Sequence, residues 1–299
     1  MIYEISHHTT IGYSQSVSIS HHLLHLSPRP VPHQVCRRHA LLIEPSPTIS
    51  KDSTDYFGNP TTYLTIEEPH IELSIISRSN IEVTAPASID PGKTPAWDGI
   101  AGLLRHATDR ELLDVYQFAF DSPFTQTGNG VADYAAESFP PGRPVLEAAI
   151  ELTGRIFDEF KYEGGVTDIH TPVDEVLEER RGVCQDFAHL QISGLRSLGI
   201  PCRYVSGYLQ TLPPEGQERL VGADASHAWL AIWVPGSGWV DLDPTNNVVP
   251  GEQHITIAWG RDYGDVSPIN GLVVGGGGHD VNVAVDVAAV DAPDDLPVA

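Results

Sequence analysis

Three residues of the 299-residue chain have types and positions that suit acyl chemistry: Cys184, His227 and Asp243. Cys184 follows Gly182 and Val183 and opens the apolar run FAHLQISGLRSL. A thiol in the first turn of a helix sits among N–H groups that lack intrahelical acceptors, at the positive end of the dipole, which favours thiolate. His227 stands in SHAW and Asp243 in DLDPTNN, each at the edge of a run that reads as a strand. A thiol, an imidazole that reaches it and a carboxylate that fixes the imidazole tautomer make a nucleophile with an oriented base. Asp241 lies two residues before Asp243 and shares its face of a strand, so it competes for the orienting role. Asp243, just before Pro244, is the preferred residue.

Holding these groups takes a helix end and an antiparallel sheet. Apolar residues on a wide arc, Phe187, Ala188, Leu190, Ile192, Leu195 and Leu198, predict a buried central helix over 184–198, ended by Gly199. PCRYVSGYLQT, HAWLAIWVP and GWVDLDP predict three consecutive strands, the last two joined by a PGSG hairpin. Neighbouring strands lie about 4.8 Å apart, so His227 and Asp243 on adjacent strands can meet if the register allows. Upstream, PVLEAAIELTGRIFDEFKY predicts an amphipathic helix with Pro144 in its first turn. PVDEVLEERRG predicts a short helix with acids early, arginines late and Gly182 as its stop. HITIAWG and NVAVDVAA are further strand candidates around GLVVGGGG, which reads as a flexible hairpin.

Residues 1–88 alternate in short β-rich runs separated by SPRPVP, EPSPTIS and FGNP, the pattern of an antiparallel β domain. Residues 89–143 read as an irregular connector with one or two short helices. Residues 144–290 form the α+β unit that carries the three candidate site residues, and 291–299 are an acidic tail expected to be disordered. A net charge of −23, from 17 basic and 40 acidic residues, argues against nucleic acid or an anionic membrane as partner. No apolar run approaches the roughly 20 residues that span a bilayer. Three cysteines are too few and too odd for a disulfide scaffold, and MIYEISHHTT has no leader pattern, so a cytoplasmic protein is expected.

The run RGVCQDFAHLQISGLRSLGIPCRYVSGYL, with SHAW and DLDPTN after it, resembles the bacterial transglutaminase-like proteins of the papain-like thiol superfamily. The resemblance extends to YEISHHTTIGYS, LLHLSPRP and DYFGN near the start and to HITIAWGRDYGDVSPINGLVVGGGGH near the end. It implies a papain-like α+β core preceded by an antiparallel β domain, with Cys184 as nucleophile, His227 as general base and then acid, and Asp243 as orienter. It also implies a peptide or protein amide substrate and no cofactor. Animal transglutaminases place a tryptophan upstream of the cysteine to stabilise the oxyanion, whereas no tryptophan lies between Trp97 and Trp229 here. The Cys184 N–H is an evident first oxyanion donor, with Gln185 and Tyr162 as candidates for the second. Amide or peptide hydrolysis is therefore expected ahead of acyl transfer to amines, with a non-catalytic scaffold as the reading from another class. Oligomeric state does not follow from the sequence.

Other groups carry weaker signals. His21 and His25 share a strand face, but no cysteine or carboxylate stands at ligand spacing, so no metal is expected. His189, five residues beyond Cys184, is expected to pack, as is Cys202. Trp229 shares the strand face of His227 and can wall the cleft or fill the core. Asp262 and Tyr263 are candidates to line the cleft. Gly275–Gly278 lack the lysine and hydroxyl of a phosphate loop.

Overall fold

The computed structural model describes residues 1–210 and 226–290, so the linker before His227 and the acidic tail expected at 291–299 lie outside the described residues. The α+β class expected from the sequence is the class observed. The N-terminal region folds as a sheet of β1 (Ile2–Leu24), β2 (Gln34–Glu44), β3 (Ile49–Thr54), β4 (Pro60–Ile66) and β5 (His70–Val83), in the order β2-β5-β1-β4-β3. The two short runs expected at its start are one continuous 23-residue strand, β1. The buried face alternates along β1 through Tyr3, Ile5 and His7, as a half-covered sheet requires.

Next come α1 (Ile100–Arg105), α2 (Arg110–Tyr116) and α3 (Asn129–Ala136), more helix than the connector pattern predicts. Then follow α4 (Val145–Glu159), β6 (Lys161–Tyr162), α5 (Val173–Glu179), β7 (Arg181–Gly182) and α6 (Cys184–Ser197). α5 stops at Arg180, which takes the left-handed conformation at φ 54, and not at Gly182. Gly182 instead allows a close approach: a Cβ there would lie 2.7 Å from Asp186 Oδ2. The strands β8 (Cys202–Leu209), β9 (Ser226–Val234), β10 (Gly238–Leu242) and β11 (His254–Gly260) form an antiparallel sheet in the order β10-β9-β8-β11. α6 lies on the face of this sheet made by Cys202, Tyr204, Leu230 and Ile232, and all four belong to the main core.

The last two strands, β12 (Ile269–Gly275) and β13 (His279–Val290), leave this unit and pair with β1. Gly275 lies opposite Val17 and His279 opposite Tyr13, so the glycines do not form a hairpin. They bulge within one broken edge strand that runs the length of β1. The N-terminal sheet thus has seven strands, and it presents Thr9, Val281 and Val283 to the opening beside Cys184.

Candidate active site

Local sequence explains how α6 presents its first residue. Asp186 folds back so that its carboxylate accepts the Val183 N–H at 2.8 Å and the Thr167 hydroxyl at 2.7 Å, which fixes the turn just before Cys184. Burial raises the Asp186 pKa, opposed by these two hydrogen bonds. Cys184 is the first helical residue, so its own N–H has no intrahelical acceptor.

His227 is the second residue of β9, beyond the helix end. Its Nε2 donates to Asp243 Oδ2 at 2.8 Å, which leaves Nδ1 for the Cys184 thiol. Burial alone would lower the imidazole pKa. The hydrogen bonds to Asp243 and Cys184 and the charges on both outweigh that cost and push it up to about 9. Asp243 follows β10 and is completely buried. Burial opposes its ionisation, but bonds from His227, His254 and Asn246 hold it well below the usual carboxylate range. The three sequence-predicted residues therefore come together.

The structure adds His254, which sequence reasoning missed. It lies at the start of β11, and its Nε2 donates to the same Asp243 oxygen at 3.0 Å, as does Asn246 Nδ2 at 2.7 Å. The backbone N–H groups of Thr245 and Asn246 donate to Oδ1. Asp243 is thus an anchored hub, and no spacing rule connects residues 243 and 254 before β11 is placed beside β8. His227, Asp243 and His254 also bring their ligand atoms within 4.8 Å of one another, close enough for a metal. With both Nε2 atoms donating to one carboxylate oxygen, the trio reads as a hydrogen-bonded cluster.

Asp241 does not reach His227. Its carboxylate accepts the Trp229 indole N–H at 3.0 Å, and the fully buried Trp229 ring lies against His227, with centroids 5.9 Å apart and planes 29° apart. Trp229 also meets His254 edge-on. The indole covers Gly207: a Cβ there would come 2.1 Å from the Ile255 carbonyl oxygen and 2.5 Å from the indole. Gly207→Ala is expected to cost about 3 kcal/mol or more in stability, because a backbone carbonyl cannot yield as a side chain can. Chemical denaturation checks this, and a loss below about 1 kcal/mol would show that β11 shifts freely.

Cys184 and His227 share a cleft of about 320 Å³ with Gln185, Tyr204 and Tyr263 on one side and His7, Thr9 and Val283 on the other. Two larger cavities, each about 740 Å³, lie elsewhere. Tyr263 lines the cleft as anticipated. Asp262 is buried and accepts the N–H groups of Gly264 and Phe124. His189 packs: burial and the Arg196 charge lower its pKa to about 3, and its Nε2 accepts the Tyr263 N–H. Tyr162, paired with Gly182 across β6 and β7, is close enough that the Cys184 charge adds to burial in raising its pKa. His21 and His25 go to separate partners, Thr65 and Tyr63 for the first and Ser267 and Asp55 for the second. The cleft thus brings the Cys184 thiol and the His227 imidazole together, with the Asp243 carboxylate buried behind the imidazole.

Residues 132–244 match the transglutaminase-like superfamily and residues 3–82 the bacterial transglutaminase-like N-terminal region. The chain is 38% identical over 298 residues to an uncharacterised protein of Mycobacterium tuberculosis, covering 95% of this chain and 92% of the relative. It belongs to the transglutaminase-like superfamily. A solved structure of a candidate cysteine protease from Cytophaga hutchinsonii superposes with a TM-score of 0.75 at 22% identity, covering 98% of this chain and 92% of that one, and shares the fold. A segment of 107 residues is 40% identical to the protein-glutamine gamma-glutamyltransferase of Pseudomonas aeruginosa, covering 33% of this chain and 16% of that protein. Among the described residues, no helix is long and apolar enough to cross a membrane.

Proposed function

We propose that the protein hydrolyses amide or peptide bonds through a thioester at Cys184. The observation that carries this reading is the His227 imidazole held between the buried Asp243 carboxylate and the thiol at the α6 N-terminus. His227 takes the proton of the Cys184 thiol. Sγ attacks the carbonyl carbon, and the oxyanion that forms takes the Cys184 N–H as one donor, with Tyr162 or Gln185 as the other. The C–N bond breaks as His227 gives its proton to the leaving amine. Neutral His227 then takes a proton from water, the hydroxide adds to the thioester, and the thiolate leaves to restore the pair. Asp243 keeps the ring in the required tautomer throughout. A reducing cytoplasm suits a free nucleophilic thiol, and Cys36, Cys184 and Cys202 are all unpaired.

The partial likeness to a glutamyltransferase favours one second reading, in which an amine and not water resolves the thioester. Product partitioning separates the two. With an amide substrate that is turned over in the presence of millimolar primary amine, free acid is expected to predominate, because a bound acceptor is needed for amine to compete. Predominant amide exchange would put the transferase reading first. Absence of turnover across a broad amide and peptide panel, and of any acyl-probe capture at Cys184, would refute both.

A further inference from the structure

The LSPRP and DYFGN segments of the N-terminal region meet Trp259 of β11 at a second cavity, on the sheet face that also carries Trp229 and Asp241. Arg29 lies over the Trp259 indole with Cζ 3.4 Å from the ring centroid, and Arg203 lies over it at 3.6 Å. Two guanidiniums cannot occupy one face at those distances, so they sandwich the indole. Arg203 is also 4.6 Å from the Trp239 ring. Asn59 fixes the arrangement: its Oδ1 accepts from Arg29 Nη1 at 2.6 Å and from the Trp259 N–H, and its Nδ2 donates to the Trp259 carbonyl.

These two charges are poorly compensated. Among the described residues neither Arg29 nor Arg203 forms an ion pair, and the Nε atoms of both are buried without a hydrogen-bond partner. Arg29 has one side-chain bond, to Asn59, and Arg203 has none to a described residue. Burial lowers both pKa values, to about 10 for Arg29 and about 9 for Arg203, and the charges of Asp55 and Asp241 only partly offset this. Both guanidiniums are half-buried with few hydrogen-bond partners, which is costly, and carboxylates satisfy them best through paired N–H donors. The cavity beside them, about 740 Å³, is walled by Phe57, Phe118, Trp233 and Trp239. Its lining also includes Arg110, Glu111 and Asp114, with one net negative charge among them.

We infer that this cavity between the two units is a binding site for a carboxylate carried on an aromatic body, such as a small aryl acid or the C-terminus of a peptide that ends in an aromatic residue. The carboxylate meets Arg203 and Arg29, and the ring enters among the phenylalanines and tryptophans, where apolar burial and aromatic contacts favour it. The site is separate from the Cys184 cleft, since the two cavities share no lining residue.

Calorimetric titration of the full chain with N-acetylphenylalanine tests this. Saturable binding is expected, and it should persist in Cys184→Ala. It should weaken at least about tenfold in Arg203→Gln and in Arg29→Gln, as loss of a charge-assisted bond requires. N-Acetylphenylalaninamide, which keeps the ring and loses the charge, should bind at least about tenfold more weakly to the unaltered protein. That comparison holds even where an arginine variant fails to fold. Benzoate binding as tightly as N-acetylphenylalanine would assign a small aryl acid, and weaker benzoate binding a peptide end. Lack of saturable binding, equal affinity for the amide, loss of binding in Cys184→Ala, or inorganic phosphate binding as tightly as the aryl acids would each overturn the proposal.

Discussion

His227→Ala is expected to lower amide turnover about a millionfold, the scale of loss when one member of a nucleophile–base pair is removed from a hydrolase. The imidazole is flanked on both sides, by Asp243 at 2.8 Å and by Cys184, so no neighbouring group can take over proton transfer. The ring nitrogen of His254 that lies nearby, Nε2, is already committed to the same Asp243 oxygen. Iodoacetamide should label Cys184 in the unaltered protein at neutral pH well before Cys36 or Cys202, whose thiol pKa values burial raises. In His227→Ala that selectivity should shrink. Equal labelling of Cys184 in the two proteins would show that His227 does not activate the thiol.

The same pair makes stability depend on pH in a defined direction. The folded His227 pKa, about 9, lies above its ordinary 6.5, so the stabilisation from its proton is complete below about pH 6.5 and fades as pH rises through about 9. The melting-temperature gap between the unaltered protein and His227→Ala should therefore narrow across that window. Asp243 acts in the opposite sense. Its contribution is present above its ordinary value of 3.8 and is lost as the solution is acidified below it.

Asp243→Asn is expected to cost about four orders of magnitude in turnover, because an amide at that position would force the wrong imidazole tautomer. The effect should exceed that of Asp241→Asn, whose carboxylate holds the Trp229 indole and does not touch His227. Asp243 also accepts from His254, Asn246 and two backbone N–H groups, so the asparagine variant should lose stability as well. Measuring turnover below each variant's melting temperature keeps the two effects apart. If Asp241→Asn abolished activity and Asp243→Asn did not, the orienting role would belong to Asp241.

Cys184, His227 and Asp243 are legible in the sequence because each stands at an end of an element whose periodicity is plain. Apolar spacing from Phe187 to Leu198 marks α6, and the PGSG turn sets β9 beside β10. The choice of Asp243 over Asp241 is harder, since both share a strand face. Only the tertiary structure shows that β9 carries Trp229 between Asp241 and the histidine. Sequence patterns report periodicity along one element, and they carry nothing about register between distant ones. That is why His254 escapes notice, since it joins Asp243 through the pairing of β11 with β8. It is also why the return of β12 and β13 to β1 is invisible, although their alternation marks them as strands. The stacking of Arg29 and Arg203 on Trp259 joins three segments up to 230 positions apart, and no local rule brings them together. Local chemistry marks the candidate groups, and long-range packing decides what surrounds them, because burial and partner geometry exist only once distant elements meet.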